Sequence, residues 1–498
     1  MNWVLMLPIL IPIVTAILVF FSWHKPNLQR FITTLGCLAL ILSAVILLLA
    51  VLKKSYLVSQ MGSWPAPFGI TVIADMLSSL MIVATSLVSL CVVIFSYVDI
   101  NKRCVRRGFY PAYCILLAGV CGALLTGDLF NLYVWFEIIL IASFVLLSLS
   151  EEKLHLEGIV KYSVLNLIAT LFLLTAIAFL YGITGTLNLA DLAICLQHTD
   201  NTNLVSTIAV IFIVSFAIKA ALFPVFFWLP AAYHTTSYSA SALFSGLLSK
   251  VGVYALLRIF TLLFIKNSHY LQEILLILIN FTLLIGIICA IAQIELRRIF
   301  SFALISHIGY MLVGLAILTP LALAGSIFYM IQHMLCITSL FLLSGYIAYQ
   351  TGSTDITKSR NLYGKFPYLS IFFFICAFSL AGMPPLSGFW AKIMLISAAF
   401  ISHSYLTTLL LVLTSLLTIF VMARIWQNMF LHTAETPYRC IAPVLTFNQK
   451  LSLFLPIIFL TTLIIFIGFM PNILYTLSNI AAQQILNPQG YIHAVMGS

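Results

Sequence analysis

Six ionisable side chains stand inside otherwise apolar sequence. They are Glu137 in Trp135-Phe-Glu-Ile-Ile139, Lys219 in Phe216-Ala-Ile-Lys-Ala-Ala-Leu-Phe-Pro224, Lys250 in Leu247-Leu-Ser-Lys-Val-Gly252, His307 in Ser306-His-Ile-Gly-Tyr310, His333 in Tyr329-Met-Ile-Gln-His-Met-Leu335 and Lys392 in Gly388-Phe-Trp-Ala-Lys392. A carboxyl, an imidazole or an amine can each take and return a proton, and several of them on separate membrane helices supply the stations of a proton path. Singly, each has a bland alternative. A lone buried histidine serves equally well as a hydrogen-bonded core residue, and Glu137 as a neutral carboxyl held for packing. Six in company favour the path. Lys219 and Lys250 lie roughly ten or more residues from the ends of segments 205–230 and 239–264, which at about 1.5 Å per residue is near the middle of a hydrocarbon layer about 30 Å thick. Snorkelling to the headgroups is difficult from that depth. An ammonium there costs several kcal/mol unless it is paired, solvated or deprotonated, so two on successive helices predict an internal polar route. Glu137, about nine residues into its own segment, sits at similar depth. Paired with Lys219 at about 4 Å and an effective dielectric near 20, it would contribute roughly 4 kcal/mol, enough to control when Lys219 takes a proton.

The elements that position these groups follow from composition. Of 498 residues 63% are hydrophobic and 7% charged, with a mean hydropathy of +1.15, which excludes a soluble domain of this length. The expected fold is an all-α polytopic membrane protein of about fourteen crossings, at roughly 3–23, 31–52, 76–98, 109–127, 129–150, 158–182, 205–230, 239–264, 270–292, 298–319, 321–349, 367–402, 404–430 and 452–481. The first segment has no basic residue before it and Lys25 and Arg30 just after it, the reverse of a secretory signal, so its amino end is expected outside. Sixteen basic residues then fall in inside loops and only Lys53, Lys54 and Lys266 in outside ones, which puts both termini outside. The net charge of +10 therefore sets topology and does not indicate nucleic acid.

Two segments are interrupted by proline, one at Pro224 and the other at Pro384-Pro385. Such breaks are tolerated at membrane depth where protein or a water-filled cavity satisfies the freed backbone groups. Pro224 and Pro385 are 161 residues apart, as are Phe109 and Tyr270, where the fourth and ninth segments begin. That offset predicts two inverted five-helix repeats, 109–264 and 270–430, between an amino-terminal part, 1–108, and a carboxy-terminal helix and outside tail, 431–498.

Other features carry less. Arg258 is expected to anchor at the outer interface. Asp128 either caps the helix it precedes or admits ions, and His234, in an inside loop, either feeds protons to Lys219 or Lys250 or merely sits in solvent. Ten scattered cysteines suggest neither a disulfide framework nor a metal site and read as small packing residues. A membrane redox enzyme with His307 and His333 as haem ligands is a rival from another class, but one pair serves only one haem and no second pair faces it.

Five stretches carry a family resemblance: Gly62-Ser-Trp-Pro-Ala-Pro-Phe-Gly69, Gly127 to Glu137, Lys219 to Pro230, Gly246 to Arg258, and Leu380-Ala-Gly-Met-Pro-Pro-Leu-Ser-Gly388. Over nearly its whole length the chain resembles the D-type branch of the Mrp-type multisubunit cation/proton antiporters, relatives of the antiporter-like proton-pumping subunits of respiratory complex I. The resemblance implies one component of a hetero-oligomeric complex in the inner (plasma) membrane that exchanges protons for sodium or another monovalent cation, without a cofactor and without being an enzyme. It implies that Glu137 and Lys219 form the buried ion pair, that Lys250 is the central relay, that Lys392 is the terminal lysine, and that His307 and His333 match histidines of complex I relatives. A proton-pumping subunit of complex I or of a membrane-bound hydrogenase is the alternative, since it would share all six residues. Two departures stand out. His234-Thr-Thr-Ser-Tyr-Ser-Ala240 replaces a proline-rich turn, and Cys336-Ile-Thr338 stands where some relatives carry a lysine, leaving His333 to bridge that gap.

Overall fold

An apolar backbone out of reach of water must satisfy its own N–H and C=O groups, and a helix does so within one segment. The computed structural model describes residues 3–149, 153–199, 201–265, 268–432 and 445–497; Lys266, Arg439 and Cys440 lie outside the described residues. Apart from one hairpin, its elements are helices. The first are α1 (Trp3–Phe21) and α2 (Pro26–Lys54), followed by the antiparallel strands β1 (Leu57–Gln60) and β2 (Thr71–Ala74), in register Leu57 to Ala74. Then come α3 (Met76–Asp99), α4 (Lys102–Arg106), α5 (Phe109–Leu125), α6 (Leu129–Ser148), α7 (Lys153–Thr184), α8 (Leu189–His198), α9 (Thr202–Ala220), α10 (Trp228–Tyr233) and α11 (Tyr238–Leu262). The second half runs α12 (Ser268–Ile291), α13 (Leu296–Ile317), α14 (Pro320–Thr351), α15 (Leu362–Lys365), α16 (Pro367–Ala381), α17 (Ser387–Ile401) and α18 (Tyr405–Ile425), and closes with α19 (Phe447–Phe469), α20 (Pro471–Leu486) and α21 (Pro488–Met496).

Twelve helices of the described residues are long and apolar enough to cross a membrane. With the shorter α5 and the broken pair α16 and α17, they account for all fourteen apolar segments of the sequence. The last segment differs from expectation. Its run to residue 481 is two helices, because Pro471 cannot continue α19 and instead takes the first position of α20. The tail beyond it folds back over α3 and α14, where Gln484 accepts from the Met76 amide (2.9 Å) and donates to the Ser55 carbonyl (3.1 Å).

Burial sorts the helices. Every residue of α11 from Ser239 to Leu262 is buried, as is α13 almost throughout and α14 from Ala322 to Gly345, so these three form the axis of the molecule. In contrast, fewer than half of the residues in the most apolar stretches of α1, α2, α7, α12 and α18 are buried, as suits lipid-facing helices.

Candidate ion-conducting site

Lys219 sits in the last turn of α9, which Ala221, in the left-handed region at φ 62°, ends. Sequence depth predicts a mid-helix lysine. The break from Ala221 to Phe227, with Pro224 inside it, instead places it in the last turn of a half-helix, the end whose dipole favours a cation. The break is satisfied by protein: the Trp228 indole donates to the Ile218 carbonyl (2.8 Å) and the Phe223 amide to Thr282 Oγ1 (3.0 Å). Gly252 lets α11 come close, since a Cβ there would lie 2.8 Å from the Ala220 nitrogen. Lys219 is 6% exposed and borders a cavity of about 20 Å³ with Tyr162, Asn166 and Trp228, room for roughly one water.

The closed Glu137 to Lys219 pair does not form. Among the ion pairs of the described residues none joins them; the Lys219 ammonium faces the Phe136 ring, 4.5 Å from its centroid. Glu137 still acts on Lys219 electrostatically, but it is half-buried on the outward side of α6.

On α11, Lys250 has no exposed surface and donates to the Ser245 carbonyl. Beyond it, α13 and α14 bring the two histidines together, with ring centroids 5.3 Å apart. Tyr329 Oη bonds His307 Nδ1, whereas His307 Nε2 and both ring nitrogens of His333 are buried without a protein partner. Buried polar atoms of this kind are ordinarily met by ordered water. Lys250 and Lys392 flank the pair within electrostatic range of both rings. Lys392, on α17, reaches back to the second break: its Nζ donates to the carbonyl of Ala381, the last residue of α16 (2.8 Å), and to Ser415 Oγ (3.3 Å). The backbone opened ahead of Pro384 and Pro385 is thus held by the lysine itself. Gly382, at φ 86°, makes room, since a Cβ there would meet Lys392 Cδ at 2.6 Å.

The outer candidates divide. Asp128 caps α6, accepting from the Asn131 amide (2.8 Å), and burial raises its pKa while its backbone hydrogen bonds oppose the rise. His234 borders an open polar cleft of about 520 Å³ with Glu157, Lys161, Glu295, Arg297 and Arg298. Its Nδ1 bonds the Pro230 carbonyl (2.6 Å) and its Nε2 the Arg298 guanidinium (2.9 Å), so the ring sits neutral. Burial lowers its pKa, the Pro230 bond works against this, and Arg298 adds to the lowering. Arg258 is no interfacial anchor. It is 8% exposed and pairs with Asp75 at 2.6 Å, because the returning tail covers the carboxy-terminal end of α11.

Residues 126–418 match the family described as NADH:quinone oxidoreductase/Mrp antiporter, TM. The chain belongs to this family. Over its full length, and the full length of the relative, it is 41% identical to the D-type component of the Na(+)/H(+) antiporter of Alkalihalophilus pseudofirmus. Its structure is similar to a chain of the Mrp complex from Dietzia sp., with a TM-score of 0.91, 30% identity and complete coverage of both chains. It also shares its fold with a chain of respiratory complex I from Thermus thermophilus, with a TM-score of 0.80, 23% identity, and coverage of 97% of this chain and 100% of that one.

Within this NADH:quinone oxidoreductase/Mrp antiporter frame, sequence reasoning overlooked Tyr310 and read Tyr329 only as a neighbour of His333. An aromatic in an apolar helix looks like packing, and only its distance to the histidines and to Lys392 marks it out. Cys336 donates to the Cys376 carbonyl (3.1 Å) and lies within electrostatic range of Lys392. The haem reading fails on geometry: the two imidazoles stand against one another and one nitrogen is held by Tyr329, leaving no plane for a porphyrin between them.

Proposed function

We propose that this chain is the D-type component of a multisubunit Na+/H+ antiporter, a transporter rather than an enzyme, in which protons pass laterally between Lys219, Lys250, the His333 and His307 pair, and Lys392 through intervening water. The observation that carries the reading is the histidine pair: two imidazoles in mutual contact, buried, unmet by protein on three of four nitrogens and flanked by two buried lysines. A purely structural cluster would have its nitrogens paired. Glu137 sets the electrostatic bias on Lys219 from a short distance rather than as a contact partner. The paired breaks at Pro224 and at Pro384 and Pro385, with Lys219 in the last turn before the first and Lys392 bonded to the last carbonyl before the second, support the two inverted repeats 109–264 and 270–430. Asp128 serves as a cap and His234 as the inside access point, its cleft opening beside Pro230 below Lys219.

The same reading requires neighbours. Phe130, Val134, Glu137, Ile141 and Phe144 share one face of α6, and the four apolar ones are 37% to 62% exposed. A carboxylate near the midplane cannot face acyl chains at small cost, so another membrane protein of the complex covers this stripe. We place the complex in the inner (plasma) membrane with both termini of this chain outside. In everted vesicles carrying the assembled complex, Glu137→Ala and Lys219→Ala should each abolish cation-dependent proton movement. Normal movement in either, with normal assembly, would refute the assignment. Co-purification of Mrp subunits, as against quinone-reductase or hydrogenase subunits, separates the antiporter from its proton-pumping relatives.

A further inference from the structure

Between the histidine pair and Lys392 stands a residue that the conduction reading does not use. The Tyr310 ring is fully buried and lies face-on to the groups around it: His307 at 5.7 Å and Tyr329 at 5.3 Å between centroids, with planes 29° and 27° apart, and the Lys392 ammonium 4.9 Å from its own centroid. Its Oη turns to α18, donating to the Leu411 carbonyl (2.5 Å), lying 2.8 Å from Thr414 Oγ1 and reaching the Ser415 hydroxyl. The next residue, Ser415, is the one that accepts from Lys392. A single turn of α18 therefore fastens both the ring and the lysine behind it. The opposite face of that helix is bare, with Leu406, Leu409, Leu416 and Phe420 each more than half exposed, so it is the least constrained wall of the site.

We infer that Tyr310 is an aromatic gate that separates Lys392 from the histidine pair, tethered shut by its hydroxyl to α18. An aromatic face offers the ammonium a favourable electrostatic surface but carries no proton. With the ring across the line, water cannot join His307 Nε2 to Lys392 Nζ. When Oη leaves Leu411 and Thr414, the ring swings aside and water fills the line. One proton then passes from the His307 imidazolium to the neutral Lys392 amine, leaving imidazole and ammonium. This regulation rests on the proposed conduction path, and its test is arranged so that the two stand or fall separately.

The test uses the assembled complex in everted vesicles, reading the decay of an imposed pH gradient without sodium as well as sodium-dependent antiport. Tyr310→Phe keeps the ring and removes the tether. It should raise the sodium-independent proton leak about fivefold, the population shift expected from one net hydrogen bond. Thr414→Val loosens the same tether from the other side and should raise the leak by less. Adding Lys219→Ala to Tyr310→Phe should return the leak to background, because the escaping protons use the same series of groups. Slower antiport in Tyr310→Phe with an unchanged leak would make Tyr310 a packing residue and overturn the gate. A raised leak that persists in the double variant would do the same. The conduction path is judged independently by wild-type antiport and its loss in His307→Ala.

Discussion

At the scale of single residues, the site is decided by which atoms are allowed near the two breaks. Gly252 touches the end of α9 so closely that any side chain must push backbone rather than a flexible neighbour. Gly252→Ala should therefore displace Lys219, at a cost of about 1–3 kcal/mol in overpacking, and cut antiport severalfold while the complex still assembles. Antiport assays beside native gels of the complex check this, and unchanged transport would show that α9 yields without consequence. His234 gives a pH signature. Its folded pKa lies below the ordinary histidine value of about 6.5, so the unfolded chain binds more protons as pH falls past that value, and stability drops on acidification. The melting temperature of the purified complex should fall more steeply between pH 8 and 5.5 in wild type than in His234→Gln; equal slopes would remove the buried neutral imidazole from the account. The ionisable residues of the proposed path stand out in sequence because each is misplaced in an apolar run. Tyr310 and Tyr329 do not, because their role comes from what stands beside them in space.

At the scale of elements, hydropathy located every crossing and proline located both breaks, since lipid leaves a spanning backbone few options. What it could not see is where one helix stops and an equally apolar one begins, as at Pro471, or that the Leu57–Gln60 and Thr71–Ala74 strands would pair beneath the tail. Arg258 escapes hydropathy for the same reason: Asp75, which pairs with it, stands 183 residues before it, and Tyr491, which covers it, lies in the carboxy-terminal helix α21. Asp128 shows how an element resolves a choice that sequence leaves open. Its carboxylate holds the first turn of α6, the helix that carries Phe136 and Glu137. Asp128→Ser keeps a capping oxygen and removes the charge, whereas Asp128→Ala removes both and should cost about 1 kcal/mol of helix stability. If Asp128 only caps, transport survives in the serine variant and weakens in the alanine variant. Equal losses in both would mean that its charge, and hence ion access, matters.

At the scale of the whole molecule, the carboxy-terminal end of α11 needs closing, and α20 and α21 close it. Asp75 caps α3 through the Ser78 amide (2.9 Å) and at the same time holds Arg258 on α11, two turns beyond Lys250. Over this pair lies Tyr491 of α21, its ring centroid 5.4 Å from the guanidinium, while Gln484 of α20 is bonded to the amide next to Asp75. One ion pair thus joins the amino-terminal helices, the relay helix and the tail. Breaking such a pair from one side leaves a desolvated charge and costs about 3–5 kcal/mol, whereas replacing both partners with apolar groups is often close to neutral. Asp75→Ala should accordingly lower the yield and melting temperature of the complex sharply, and Arg258→Leu in the same chain should restore much of the loss. Because the proposed path does not use Arg258, the rescued double variant should also recover antiport. A double variant that stays folded yet transports nothing would instead make the pair part of the outer release route for protons, above Lys250 and Tyr254 on the same helix face.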